Sequence, residues 1–198
     1  MAETARLPEI TLPHVSAEDV ERVLISEEEI HERVAELSRQ LEADYAGSKN
    51  KLLLLGILKG SVVFMAELMK QIRLPVEIDF MKVSSYGAGT QSTGNIEIKL
   101  DLRRADISEC DILIVEDIID SGNTLSYLVE YLKLKGSASV RTITLLDKPS
   151  RRKVKFEPDY RGFEIPDEFV VGYGLDFDEK YRALPFIGVL KPEFYEKK

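Results

Sequence analysis

The densest chemistry in this 198-residue chain lies between Glu116 and Thr124. Glu116 and Asp117 are adjacent acids, and Asp120-Ser121-Gly122-Asn123-Thr124 follows after Ile118 and Ile119. The run Ile112–Val115 before them is apolar and short, as in a buried strand. Acids at the carboxyl end of such a strand stand at the sheet edge where α/β folds bind ligands. The Ser-Gly-Asn-Thr stretch offers backbone donors and two hydroxyls where a helix begins, an arrangement that binds phosphate. Gly122 lets a ligand approach the backbone closely. An ordinary strand-to-helix turn explains one acid and one cap. It does not explain three acids, a glycine and two hydroxyls together.

The rest of the chain must position this segment. Leu125, Leu128, Val129 and Leu132 give the following helix an apolar face, and Gly136 fits its C-cap. Upstream, Ser26 and Glu29 have capping-box spacing, and Ile30, Val34, Leu37 and Leu41 recur at helical period until Gly47. Leu52–Leu58 is a continuous apolar run suited to a strand covered on both faces. A second helix, with Val62, Val63, Leu68, Met69 and Ile72, stops before Pro75. Val76–Val83 and Asn95–Leu100 alternate like a half-buried hairpin, joined by the glycine-rich loop Ser84–Gly94. Val140–Leu146, Phe169–Gly174 and Ile187–Leu190 are further strands. Lys148–Glu168 carries three prolines and much charge, which predicts a loop region or hood. Residues 1 to about 22 predict an N-terminal arm, with 23–198 forming one domain. Strands separated by helices imply a single α/β domain, its mostly parallel twisted sheet flanked by helices, plus a small hood.

Composition bounds the partners. Hydrophobic residues at 44% and charged residues at 31% are globular values, and the net charge of −8 argues against coating nucleic acid or an anionic membrane. No apolar run approaches the ~20 residues of a membrane span, and the N-terminal residues lack the apolar core of a signal peptide. One cysteine, Cys110, forms no internal disulfide. The expected address is the cytoplasm.

Val115–Leu125 resembles the signature of the type I phosphoribosyltransferases, in their bacterial hypoxanthine (hypoxanthine-guanine) branch. The resemblance continues in order through Leu58–Ser61 (LKGS), Ser84–Gly87 (SSYG), Leu145–Arg152 (LLDKPSRR) and Gly162–Arg182. It implies the fold of that family and a purine-salvage enzyme. The phosphoribosyl group of phosphoribosyl pyrophosphate would pass to hypoxanthine or guanine, giving IMP or GMP and pyrophosphate. By this resemblance Asp120 accepts the proton of the attacking purine nitrogen. Glu116 and Asp117 hold the ribose hydroxyls with an associated Mg2+, and Asp176 holds a second Mg2+. Ile118 and Ile119 line the turn, and Ser121, Gly122, Asn123, Thr124 and Leu125 surround the 5′-phosphate. The Lys59-Gly60 peptide and Arg182 face pyrophosphate, while Lys148 donates to the 6-oxygen of the base. Phe169 stacks on the purine, and the Val170 backbone bonds its edge. Ser85 and Tyr86 belong to a lid that closes over the reaction. A homodimer or homotetramer is implied, with no nucleic-acid partner. Two alternatives stay open: a transferase for xanthine or another base, and a regulator that senses phosphoribosyl pyrophosphate on the same fold while binding RNA or DNA. The acidic balance counts against the regulator.

Overall fold

The computed structural model describes residues 19–85 and 96–196. Two sheets are present. The larger has six strands: β2 (Lys51–Ile57), β3 (Val76–Ser85), β4 (Ile96–Leu100), β5 (Cys110–Ile119), β6 (Ser139–Asp147) and β7 (Tyr160–Glu164). Their order is β4-β3-β2-β5-β6-β7, all parallel except for β4, which runs antiparallel to β3. The smaller sheet joins the two ends of the chain, in the order β1 (Val20–Ile25), β9 (Ile187–Leu190), β8 (Val170–Val171), and is antiparallel.

The middles of β2 and β5 are apolar because both their faces are covered. In β2, Leu52 and Leu54 face one core, while Leu53, Leu55 and Ile57 face the other; in β5, Leu113 and Val115 oppose Ile112 and Ile114 in the same way. Helices α1 (Glu27–Tyr45) and α2 (Val62–Gln71) cover the first face through Ile30, Val34, Leu37, Leu41, Phe64 and Leu68. Helix α3 (Asn123–Leu134) covers the second through Leu125, Leu128 and Leu132. Each such side chain contributes ~1.5–3 kcal/mol by leaving water. The capping box is formed: Ser26 Oγ accepts from Glu29 N, and the Glu29 carboxylate accepts from Ser26 N.

Three expectations are corrected. Val20–Arg22, read from the sequence as the last of the arm, is already strand, held by pairing with β9 rather than by any period of its own. Tyr160–Glu164, placed by the sequence in a loop, is the edge strand β7; its charged residues suit an edge, while Tyr160 is buried. Phe169–Gly174 contains only the two-residue strand β8, because Gly172, Tyr173 and Gly174 all take positive φ and turn the chain. Residues 86–95, where Tyr86 and most of the expected lid fall, lie outside the described residues, as do residues 1–18.

Candidate active site

Chain order reverses between β2 and β5, so their carboxyl ends bound the crevice where open α/β sheets bind ligands. The paired register of β2 with β5 ends at Gly56 and Val115, and β5 continues alone beside β6 as far as Ile119. Glu116 and Asp117 are therefore strand residues, projecting where the neighbouring strand has left. Burial and the adjacent Asp117 push the Glu116 carboxyl well above the usual carboxylate range, and its Oε2 is buried without a hydrogen-bond partner. Burial lifts the Asp117 carboxyl to about 6, opposed by the N–H of Ile118 at 2.9 Å and by the charge of Arg182, and reinforced by Asp176. Two adjacent, partly buried acids are costly, which marks a site built for a positively charged or hydroxyl-bearing ligand.

Asp117 reaches across to the turn after β2. A Cβ on Gly60 would overlap the Asp117 carboxylate, and a Cβ on Gly174 would overlap the Gly60 carbonyl. Glycine at position 60 is thus a packing requirement. It brings three distant segments into contact: the β2 turn, the end of β5 and the loop after β8. In that loop Arg182 donates to the Gly174 carbonyl at 2.7 Å and pairs with Asp176 at 2.8 Å and Glu179 at 3.1 Å. Glu179 also pairs with Lys59 at 2.8 Å. Tyr173, Asp178, Glu179 and Tyr181 all adopt positive φ, a concentration of backbone strain of the kind found at ligand sites.

At the start of α3, Gly122 is the N-cap with φ +80° and supplies no side-chain cap; Asn123 N donates to Ser121 Oγ at 3.3 Å, which leaves the N–H groups of Thr124 and Leu125 to meet an anion. A cleft of about 110 Å³ opens here against Glu116, Ile118, Asp120, Ser121, Gly122 and Thr124. Ile119 and Leu125 have side chains buried in the core, so their backbone alone is open to a ligand. The carbonyls of Ile119, Asp120 and Ser121 accept hydrogen bonds from Lys148 N at 3.0 Å, the Arg152 guanidinium at 2.5 Å and Lys153 N at 3.0 Å. Arg152 in turn pairs with Asp147, which is fully buried and also lies 2.8 Å from Arg161. The segment after β6 thus clamps the backbone that carries Asp120.

Lys148 is almost wholly buried, and its Nζ donates to the Glu168 carbonyl at 2.8 Å and lies 4.0 Å from Asp120 Oδ1. That Oδ1 is buried with no hydrogen-bond partner, while Arg151 stands 3.9 Å from Oδ2. A base and a donor are therefore side by side, with the half-buried Phe169 ring one residue beyond Glu168. Val170 is buried in the core and paired with Val189. Ser85 ends β3 opposite Ile96.

The structure brings together Asp117, Gly60, Asp176 and Arg182 on one side, and Glu116, Asp120, Lys148 and the start of α3 on the other. Arg152, Asp147, Arg161 and Glu179 carried no sequence signal of their own, although Arg152 closes LLDKPSRR. A larger cavity of about 350 Å³ opens at the amino ends of β2 and β3 against Tyr45, Asn50, Lys51 and Pro75, and none of these acids lines it.

A helix N-terminus and partly buried acids at the switch point of a parallel sheet are the arrangement by which α/β proteins bind phosphorylated ligands. Residues 26–178 match the model of the phosphoribosyl transferase domain. The chain is 57% identical to the hypoxanthine-guanine phosphoribosyltransferase of Lactococcus lactis, over 90% of this chain and 95% of that protein. It is 54% identical to the bifunctional protein TilS/HprT of Listeria innocua over 90% of this chain, which spans only 27% of that longer relative. A crystal structure of a hypoxanthine phosphoribosyltransferase from Staphylococcus aureus superposes with a TM-score of 0.88 at 48% identity, covering 94% of this chain and 100% of that one. The chain belongs to the phosphoribosyltransferase family.

Proposed function

We propose that the chain transfers the 5-phosphoribosyl group of phosphoribosyl pyrophosphate to hypoxanthine or guanine, a purine-salvage reaction giving IMP or GMP and pyrophosphate. The observation that carries this reading is the pairing of Asp120 with the buried Lys148 at the mouth of the phosphate cradle. A 6-oxopurine presents both an imidazole nitrogen that must lose a proton and an exocyclic oxygen that accepts one hydrogen bond. Asp120 takes the proton as the nitrogen bonds to the anomeric carbon and the bond to pyrophosphate breaks. Lys148 donates to the exocyclic oxygen, Phe169 stacks on the ring and the Val170 backbone meets its edge. Residues Ser121 to Leu125 hold the 5′-phosphate through α3 N–H groups and the hydroxyls of Ser121 and Thr124. Glu116 and Asp117 accept from the ribose hydroxyls. The Lys59-Gly60 peptide and Arg182 receive pyrophosphate, for which Arg182 must loosen its bonds to Asp176 and Glu179.

The residues suit Mg2+. Glu116 and Asp117 are hard oxygen donors, one of them with an unpartnered buried oxygen. Among the described residues no three metal-binding side chains converge, which fits an ion that takes one or two carboxylates and completes its shell from substrate oxygens. Such an ion offsets the negative charge of the leaving pyrophosphate. Both Asp176 oxygens are engaged, by Arg182 and the Glu179 N–H, so a second ion there requires that pairing to open. Ser85 and Tyr86 close over the site, and the chain works in the cytoplasm as a homodimer or homotetramer. Among the described residues no helix is long and apolar enough to cross a membrane.

A base panel tests the reading. With phosphoribosyl pyrophosphate and Mg2+, nucleotide should form rapidly from hypoxanthine or guanine and very slowly from adenine, whose 6-amine cannot accept from Lys148. Adenine turning over as well as hypoxanthine refutes the role of Lys148. Nucleotide formation from none of the bases, with tight binding of phosphoribosyl pyrophosphate and RNA, would favour a regulator.

A further inference from the structure

The ring of Phe169 is only half-buried, yet it is fixed on two sides by other rings. Tyr195 lies nearly parallel to it, with centroids 4.6 Å apart and planes at 17°, and Phe177 packs perpendicular to it at 5.6 Å and 87°. All three belong to the fringe of the hood core formed by Val20, Val171, Tyr181, Leu184, Phe186 and Leu190. Tyr195 is carried by a single helical turn, α4 (Pro192–Tyr195), closed by the bond from Glu196 N to the Pro192 carbonyl at 2.8 Å. The turn is tied to the start of β1 by Lys191 N, which donates to the Asp19 carbonyl at 3.0 Å. The Phe169 backbone is held from the same strand end, since its carbonyl accepts from Leu190 N at 2.9 Å.

We infer that Tyr195 is a positioning residue for the purine base: its ring packs against the rear of Phe169 and sets the plane on which the base stacks at the front. The inference rests on Phe169 being the stacking residue. An aromatic ring has two faces, and a base needs only one of them. With Tyr195 stacked on one face and Phe177 perpendicular to the ring, Phe169 cannot tilt or swing without losing both contacts. The purine then arrives at a plane already oriented against the Lys148 and Asp120 pair, as the third layer of a stack. The work is done by the ring of Tyr195 and not by its hydroxyl.

The test is steady-state kinetics with each substrate varied in turn, on Tyr195→Ala, Tyr195→Leu, Tyr195→Phe and Phe169→Leu. Loss of one aromatic pair should raise KM for hypoxanthine roughly three- to tenfold in Tyr195→Ala. The less drastic variant Tyr195→Leu should do the same in part, and Tyr195→Phe should keep the original value. KM for phosphoribosyl pyrophosphate should stay within about twofold in all three, which a general loosening of the hood would not permit. An unchanged KM for hypoxanthine in Tyr195→Ala overturns the inference. So does a lowered KM, which would mean that the ring stands on the face the base needs, and so does an equal rise for both substrates. If Phe169→Leu raises KM for the base while the Tyr195 variants do not, the inference fails and the stacking role of Phe169 stands. If Phe169→Leu leaves that KM unchanged, the stacking role itself fails.

Discussion

Asp120 and Asp117 are three residues apart and do opposite things to the protein. Asp120 has one oxygen without a hydrogen-bond partner and two cations about 4 Å away, so a lone pair is left open to an incoming donor. A positioned general base contributes typically ~100- to 10,000-fold to rate. Asp120→Asn should therefore lose turnover by that order while binding phosphoribosyl pyrophosphate with nearly its original Kd. Near-normal turnover would remove Asp120 from the mechanism. Asp117 is instead a burden on the ligand-free fold. Its carboxyl is raised from 3.8 to about 6, so folding favours the protonated form and loses stability as pH climbs through that window. A shift of about two units is worth about 3 kcal/mol above pH 6. Asp117→Asn should raise Tm by several degrees at pH 8 and by little at pH 4, while activity falls. A Tm gain independent of pH would show that the cost is not one of charge.

At the scale of elements, the site depends on segments that hold other segments. The turn after β2, the end of β5 and the loop after β8 meet at Gly60, and the segment after β6 clamps residues 119–121. Arg152 is the centre of that clamp, bonded to Asp120 O, to Phe156 O at 3.0 Å and to the buried Asp147. Arg152→Ala leaves a fully buried carboxylate with Arg161 alone. Breaking a buried pair in this way costs ~3–5 kcal/mol. Tm should fall by roughly 10 °C, and turnover with it, as measured by thermal unfolding and initial rates. An unchanged Tm would mean that the clamp is ornamental. The central elements could be read in the sequence because their period and caps are local: Ser26 with Glu29, the leucines of β2, the acids after Val115. Strand β7 could not, since an edge strand with alternating charge has little apolar signal. Nor could β1, whose strand state depends on a partner more than 160 residues away.

The whole molecule places a shallow phosphate cradle, a buried acid pair and an aromatic hood around one crevice. The residues of that crevice come from both halves of the larger sheet and from the loop after β8. The sequence exposed the cradle and acids as a contiguous motif. It left the roles of Lys59, Lys148, Phe169, Asp176 and Arg182 to resemblance, because single residues in polar loops have no pattern until folding gives them neighbours. The paired Glu179 contacts to Lys59 and Arg182 are a case in point: nothing in DFDEKYR announces them. On the proposed function these contacts give way to pyrophosphate, so Glu179→Gln should lower KM for phosphoribosyl pyrophosphate severalfold without changing KM for the base; an unchanged KM would mean that Glu179 does not compete. The central claim is that this crevice joins base to sugar phosphate and releases pyrophosphate. The most direct measurement is a phosphorus NMR time course of the chain with hypoxanthine, phosphoribosyl pyrophosphate and Mg2+. IMP and pyrophosphate should grow in at one to one as phosphoribosyl pyrophosphate disappears, and chelation of the ion should stop both together. Phosphoribosyl pyrophosphate that persists, or that decays to pyrophosphate without IMP, would contradict the account.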